Sequence, residues 1–241
     1  MELEQRISKT LKILRRAYPD GGVLEIGNPF AMTVAVLLSA RTKDEQVLKC
    51  LPALFKKYPT PEKMAKASSD DIAKLISSVG FYKTKAKQVK ALASMLVKDF
   101  GGVIPDTIEE MIRLPGVGRK TASVVLSGAF HKQTIAVDTH VFRVVNRLGW
   151  VKAKSAPEME KKLLAIVPEK QKSDVSHAMV PFGRAICVPN PRCWACPVAE
   201  LCEYSKKNLA PPKDAEGIMD KMKAKEALLH ERKEEVKKIF V

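Results

Sequence analysis

Residues 114–122 read LPGVGRKTA, and this stretch decides the fold. Helical patterns lie on both sides. Ile108, Met111 and Ile112 recur before it with their side chains expected inward, and TASVVLSGAF follows. Gly116 and Gly118 give the backbone access to positive φ and let another molecule approach the main chain closely. The helix that begins straight after them presents N–H groups and the positive end of its dipole. That combination suits an anion, and a DNA phosphate fits. Such contacts position a duplex without reading its sequence. A plain glycine-capped turn between two helices explains the same string locally, so the rest of the chain must decide.

Outward from this hairpin the chain reads as helix after helix. Leu3, Ile7, Leu11 and Leu14 predict a first helix, ended by Pro19-Asp20-Gly21-Gly22. Asn28-Pro29 reads as an N-cap and a first-turn proline, opening a helix apolar nearly all round and so buried at the middle of a core. Thr60 can cap a helix after the break at Pro59. Ser69-Asp70-Asp71 begins another, and a longer one is expected from about Lys83 to Phe100. Only TIAV, 134–137, has strand character, and Asp138 after it is an N-cap candidate for THVFRVVNRLG. The expected class is all-α.

The 241 residues carry 42 Lys+Arg against 27 Asp+Glu, a net charge of +15. With 46% apolar residues the chain can bury a core, which excludes a disordered polymer. Residues 212–241 hold eight Lys/Arg and seven Asp/Glu, so nearly all the surplus lies before them. A basic body calls for a polyanion, nucleic acid first and an acidic membrane surface second. The most apolar run, Phe30 to Ala40, is about half the ~20 residues that span a bilayer. The N-terminal MELEQRISKT lacks the apolar segment of a secretory signal. An intracellular protein is expected, in a cytoplasm and nucleoid or in a nucleus, with its five cysteines reduced or ligating metal.

Four of them, Cys187, Cys193, Cys196 and Cys202, run as C-x5-C-x2-C-x5-C. Four-cysteine zinc sites usually show two short C-x2-4-C pairs. Only one pair here is short, which favours a wrapped [4Fe–4S] cluster over zinc or free thiols. Cys50 stands apart in an amphipathic helix and reads as a small buried apolar residue.

Taken together, NPF at 28–30, LLSARTKDE at 37–45, GFYKTKA at 80–86, LPGVGRKTA, TIAVDTHVFRVVNRLG at 134–149 and the cysteine run resemble the endonuclease III family. This is a family of helix–hairpin–helix DNA glycosylases with apurinic-site lyase activity and an iron–sulfur cluster. The resemblance implies two domains flanking a DNA-binding cleft. One is a helical barrel over residues 22–132. The other is a cluster domain of residues 1–21 and 133–210, and residues 211–241 remain as a charged, solvated helical tail. It implies a [4Fe–4S] cofactor and a partner: double-stranded DNA with damaged bases or abasic sites. No membrane partner is implied, and a monomer suffices.

The chemistry of such an enzyme needs an amine and a carboxylate. Breaking an N-glycosidic bond builds positive charge on the sugar, which a carboxylate stabilises. An amine attacking C1′ displaces the base and becomes a Schiff base. Lys120, beside Arg119 at a helix start, fits the amine, and Asp138 fits the carboxylate. The resemblance makes them the catalytic pair, although a solvated lysine and a helix cap describe them locally. His140 reads as a packed or surface histidine with no catalytic role.

A base inside a duplex must be flipped out, and side chains must fill the gap. Arg41 and Phe81 match the family's inserting positions, where Gln and Leu are common. Arg192, in the VPNPR loop between the first two cysteines, matches a position that meets phosphate. These departures bear on damage spectrum rather than reaction class. The expected function is therefore a base excision repair glycosylase/lyase for oxidised pyrimidines of the thymine glycol type. The alternatives are a mismatch-specific uracil, thymine or adenine glycosylase on the same fold, a non-catalytic DNA-binding protein, and an electron-transfer cluster protein. Those monofunctional relatives lack a lysine at the position of Lys120.

Overall fold

The computed structural model describes residues 1–19, 21, 24 and 26–240. Of the turn expected after the first helix, Asp20 and Gly22 lie outside the described residues. Among those described there are twelve α-helices, three short 3-10 turns and no strand. The helices are α1 (Leu3–Ala17), α2 (Pro29–Ser39), α3 (Asp44–Lys57), α4 (Pro61–Lys66), α5 (Ser69–Leu75) and α6 (Tyr82–Asp99). They continue with α7 (Ile108–Met111), α8 (Arg119–Phe130), α9 (Thr139–Leu148), α10 (Ala156–Ile166), α11 (Lys172–Ala185) and α12 (Ala215–Lys237). The chain divides into two compact units. One is Met1–Val23 with Gln133–Ala227, and the other is Leu24–Lys132 with Leu228–Val241.

In the first unit α1 turns Ile7, Leu11 and Leu14 inward on one face. They meet Val141, Val144, Val145 and Leu148 of α9 and Val175, Met179 and Phe182 of α11 in a continuous core. Each such side chain, fully buried, contributes roughly 1.5–3 kcal/mol. The start of α9 is fixed by Asp138, whose Oδ1 accepts from the His140 and Val141 amides at 2.8 Å each. Gly149 ends the helix in the left-handed region, φ 75°.

Residues 134–137 are not a strand. No second strand flanks them among the described residues, and a side chain takes its place. The Ser176 hydroxyl accepts from the Ala136 amide at 2.8 Å and donates to the Ala136 carbonyl at 3.2 Å. Buried backbone groups need such partners. Ser176 of α11 thereby satisfies both backbone groups of Ala136, two residues before Asp138.

The second unit is built around α2. Its N-cap Asn28 accepts from Ala31 N, Pro29 follows, and eight of its eleven residues are buried. The buried Thr33 hydroxyl is satisfied by donating to the Pro29 carbonyl at 2.8 Å. Around α2 pack Val47, Leu51 and Leu54 of α3, Val89, Leu92 and Leu96 of α6, and Val125 and Leu126 of α8. Cys50 is buried here and its Sγ donates to the Val47 carbonyl. Burial pushes its thiol up to about 11. Ile112, expected inward, is 47% exposed because α7 ends at Met111 and the chain turns there.

Residues 211–241 are not a solvated appendage along their whole length. α12 has few buried residues, yet Val236 is buried and the Phe240 ring lies 5.0 Å from Phe55, edge-on at 78°. Phe55 in turn meets Phe30 at 5.9 Å. The final KKIFV thus contributes an aromatic side chain to the core of the second unit.

Candidate nucleic-acid interface and catalytic residues

Within the second unit, α7, the turn 112–118 and α8 form the hairpin. Gly116 sits at φ 79°, a left-handed conformation that a side chain would strain. A Cβ there would also stand 2.8 Å from Leu37 Cδ1 and 3.2 Å from Gln88 Cδ. The turn therefore rests directly on the end of α2 and the first half of α6. Gly118 differs from its expected role. Its φ is −95° and a Cβ would meet nothing within 4 Å. What its missing side chain provides is open space at the N-cap of α8. The first turn of α8 contains Arg119 and Lys120, both exposed, and no acidic residue.

Arg41 and Phe81 flank the same end of the unit. Arg41 follows α2, exposed, at φ 53°. Phe81 immediately precedes α6 at φ 57° and is 66% exposed, so it is no core aromatic. The two turns touch, because the Gly80 amide donates to the Thr42 hydroxyl at 3.2 Å. Sequence gave no sign of the group that joins them. Lys85 is only 5% exposed, and its Nζ donates to Leu38 O (2.9 Å), Ala40 O (2.5 Å) and Thr42 Oγ1 (2.9 Å). Burial lowers its pKa, with a small opposing effect from Cys50.

Asp138 lies in the first unit, half-buried, with one carboxylate oxygen engaged as the cap of α9. Thus the structure gathers Arg41, Phe81, Gly116, Gly118, Arg119 and Lys120 in one unit, and Asp138 with the cysteines in the other. His140 packs near Arg143, whose Nη2 lies 3.1 Å from its Nδ1. Burial lowers the His140 pKa, with Asp138 opposing and Arg184 and Arg143 adding to the fall.

The cysteine segment is held by two arginines from α9, whose partners lie 40 or more residues away in sequence. Arg143 donates to Cys187 O at 2.8 Å and to Gly183 O at 2.8 Å. Arg147 donates to Val188 O at 2.6 Å, to Pro189 O at 2.7 Å and towards Cys187 Sγ at 3.5 Å. Its guanidinium also covers the Tyr204 ring at 4.8 Å. The available signal was their i, i+4 spacing on the polar face of an amphipathic helix. Arg192, expected to meet a phosphate, is half-buried. Its Nη1 donates to the Ala185 carbonyl and contacts Met222 Sδ.

Burial pushes the Cys196 thiol up to about 12, and Cys202, Cys187 and Cys193 add to the rise. Cys187, Cys196 and Cys202 all pack against the core of the first unit. Among the described residues no three His, Cys, Asp or Glu side chains converge closely enough to hold a single metal ion. None of the described helices is long and apolar enough to cross a membrane.

Known proteins resemble this chain in sequence and fold. Residues 34–169 match the family "HhH-GPD superfamily base excision DNA repair protein". Endonuclease III of Thermotoga maritima is 43% identical over 181 residues, 75% of this chain and 85% of that protein. Endonuclease III of Escherichia coli is 39% identical over 83% of this chain and 97% of its own length. Among solved structures, a trapped endonuclease III–DNA covalent intermediate superposes with a TM-score of 0.79 at 39% identity, covering 87% of this chain and all of that one. A thermostable thymine-DNA glycosylase superposes with a TM-score of 0.75 at 28% identity, covering 84% of this chain and 95% of that one. The chain belongs to the endonuclease III family, within the HhH-GPD superfamily of base excision DNA repair proteins.

Proposed function

We propose that this base excision repair glycosylase/lyase uses Lys120 as its nucleophile and Asp138 as the carboxylate that stabilises the developing sugar cation. The observation that carries the reading is Lys120 itself. It is exposed in the first turn of α8, directly after the hairpin, next to Arg119 and with no acid in that turn. The neutral amine attacks C1′ as the C1′–N bond to the damaged base breaks and the base leaves with the bonding pair. Loss of a proton from nitrogen and opening of the sugar give a Schiff base. That cation acidifies C2′, and removal of a C2′ proton expels the 3′ oxygen and cuts the strand. Asp138 caps α9 through Oδ1, which fixes the orientation of the carboxylate that would stabilise the sugar cation. Gly116 and Gly118 let a phosphate approach the start of α8, while Arg41 and Phe81 fill the stack.

The substrate class is duplex DNA bearing oxidised pyrimidines or abasic sites, bound by a monomer in an intracellular compartment. Cys187, Cys193, Cys196 and Cys202 would hold a [4Fe–4S] cluster. The four thiols fall on one short segment, and Cys187, Cys196 and Cys202 pack against the core of the first unit, an all-thiolate donor set that would suit such a cluster. Such a cluster supplies a structural or redox centre with no open coordination position, and Arg143 and Arg147 hold the loop that carries its first ligand.

Borohydride trapping tests this on duplexes containing thymine glycol, an abasic site, a G·T mismatch or no lesion. An adduct with the first two, absent in Lys120→Ala, is expected. An adduct with the abasic duplex alone would keep the lyase and move the substrate to other bases. Release of thymine from the mismatch without any adduct would favour a monofunctional mismatch glycosylase.

A further inference from the structure

Three exposed residues in the second unit hold a left-handed backbone that disfavours a side chain; His131 does so as the C-cap of α8, and neither of the other two is a helix C-cap. Arg41 and Phe81 both lie in the left-handed region, at φ 53° and φ 57°. For a residue with a side chain this costs roughly 1–2 kcal/mol, and it persists only where the surroundings over-determine it. Neither residue is held by its own side chain in a core, since both are exposed. The restraint comes from beneath.

Lys85 supplies it. An ammonium has three N–H donors, and each has an acceptor here: Leu38 O, Ala40 O and Thr42 Oγ1. The last carbonyls of a helix lack intrahelical partners, and a cation there also meets the negative end of the dipole. Ala40 and Thr42 are the two neighbours of Arg41, so Lys85 grips both sides of that residue. The same Thr42 hydroxyl accepts from the amide of Gly80, the residue before Phe81. The Lys85 main-chain N–H donates to the Phe81 carbonyl at 3.0 Å. The amide hydrogen bond is the ordinary first bond of α6, so the lysine side chain holds Arg41 directly, from both sides, and reaches Phe81 through Thr42 and Gly80. Burying a charge is expensive, and an apolar side chain of similar length would fill the space more cheaply. What the ammonium adds is a three-point hold.

We propose that Lys85 is a positioning residue for duplex opening, which presets Arg41 and Phe81 as one rigid wedge before DNA arrives. The proposal rests on the reading of this chain as a base-flipping enzyme. A wedge already in its bound conformation does not lose side-chain and loop freedom on insertion. Without the hold, relaxing a single left-handed residue by about 1 kcal/mol would cut the preset population about fivefold. Affinity would change little, because phosphate contacts dominate it.

The test separates binding from insertion and needs no chemistry. The probe is a duplex with a tetrahydrofuran abasic analogue and 2-aminopurine opposite it, whose fluorescence rises when that base is unstacked. It is read at saturating protein in the unsubstituted and Lys120→Ala proteins, then in Lys85→Met and Thr42→Val. Failure of the Schiff-base reading would leave the unsubstituted and Lys120→Ala signals intact, so the two ideas fail separately. The expected result is binding within about twofold but a rise about fivefold smaller in Lys85→Met. A smaller loss in the same direction is expected for Thr42→Val, which also serves if Lys85→Met does not fold. A full rise in either folded variant would overturn the proposal. So would a loss that merely follows weakened binding, or no rise with the unsubstituted protein.

Discussion

A Cβ on Gly116 would stand 2.8 Å from Leu37 Cδ1, so the hairpin turn is seated on the helix that ends beside Arg41. Leu37 is itself buried, with little room to retreat. The consequence separates the two hairpin glycines. Gly116→Ala must adopt φ 79° and displace Leu37, and should destabilise by roughly 1–3 kcal/mol. Gly118→Ala meets no atom and has an ordinary φ, so its stability should change by less than about 0.5 kcal/mol. Its DNA affinity should nevertheless fall, because the methyl occupies the opening at the start of α8. Urea melts and duplex binding on the two variants check this; a Gly118→Ala protein with unchanged affinity would remove the hairpin's phosphate role.

Asp138 combines two functions that substitution can separate. Asn caps a helix about as well as Asp does. Asp138→Asn should therefore keep its stability within about 0.5 kcal/mol while single-turnover cleavage falls about 10²-fold or more. Asp138→Ala should lose the cap as well, about 1 kcal/mol. Undiminished cleavage by Asp138→Asn would leave the residue a cap only.

Arg147 and Arg192 should behave as structural arginines. Hydrogen bonds from a charged donor contribute roughly 1.5–3 kcal/mol each. Arg147→Met, losing those to Val188 and Pro189, should melt the first unit earlier and lower the iron content of purified protein. Arg192→Met should also destabilise, since the Ala185 carbonyl loses its donor. It should leave the salt dependence of DNA binding unchanged, whereas loss of one phosphate contact would reduce the slope by about 0.9.

Stability should also depend on pH through His140. Its folded pKa is depressed by burial and by the nearby arginines, so the unfolded chain binds the proton more readily. The stability it contributes is full above the unfolded value of about 6.5 and is lost as pH falls from there through the folded value. Urea midpoints from pH 8 down to about 5 should drop over this window, and His140→Gln should flatten that drop. An identical decline in the variant would assign it to other groups.

The sequence alone determined the helices, because their signals are local. Asn28-Pro29 caps and opens α2, Asp138 caps α9, and Ile7, Leu11 and Leu14 set the buried face of α1. The hairpin string and the four cysteines were equally legible, since their chemistry depends on spacing within a few residues. Contacts distant in sequence were decided only in the tertiary structure. TIAV has the composition of a strand, but strand pairing needs a neighbour, and Ser176 of α11 supplies a hydroxyl instead. A lysine reads as solvated, so nothing in GFYKTKA reveals that Lys85 is buried against carbonyls more than 40 residues away. Arg192 reads as a surface cation until its partners at Ala185 and Met222 are known. The weakly amphipathic tail likewise conceals that Phe240 packs edge-on against Phe55. Local capping and periodicity are encoded in neighbouring residues, whereas the burial of a charge or a terminal ring depends on what the rest of the chain brings to it.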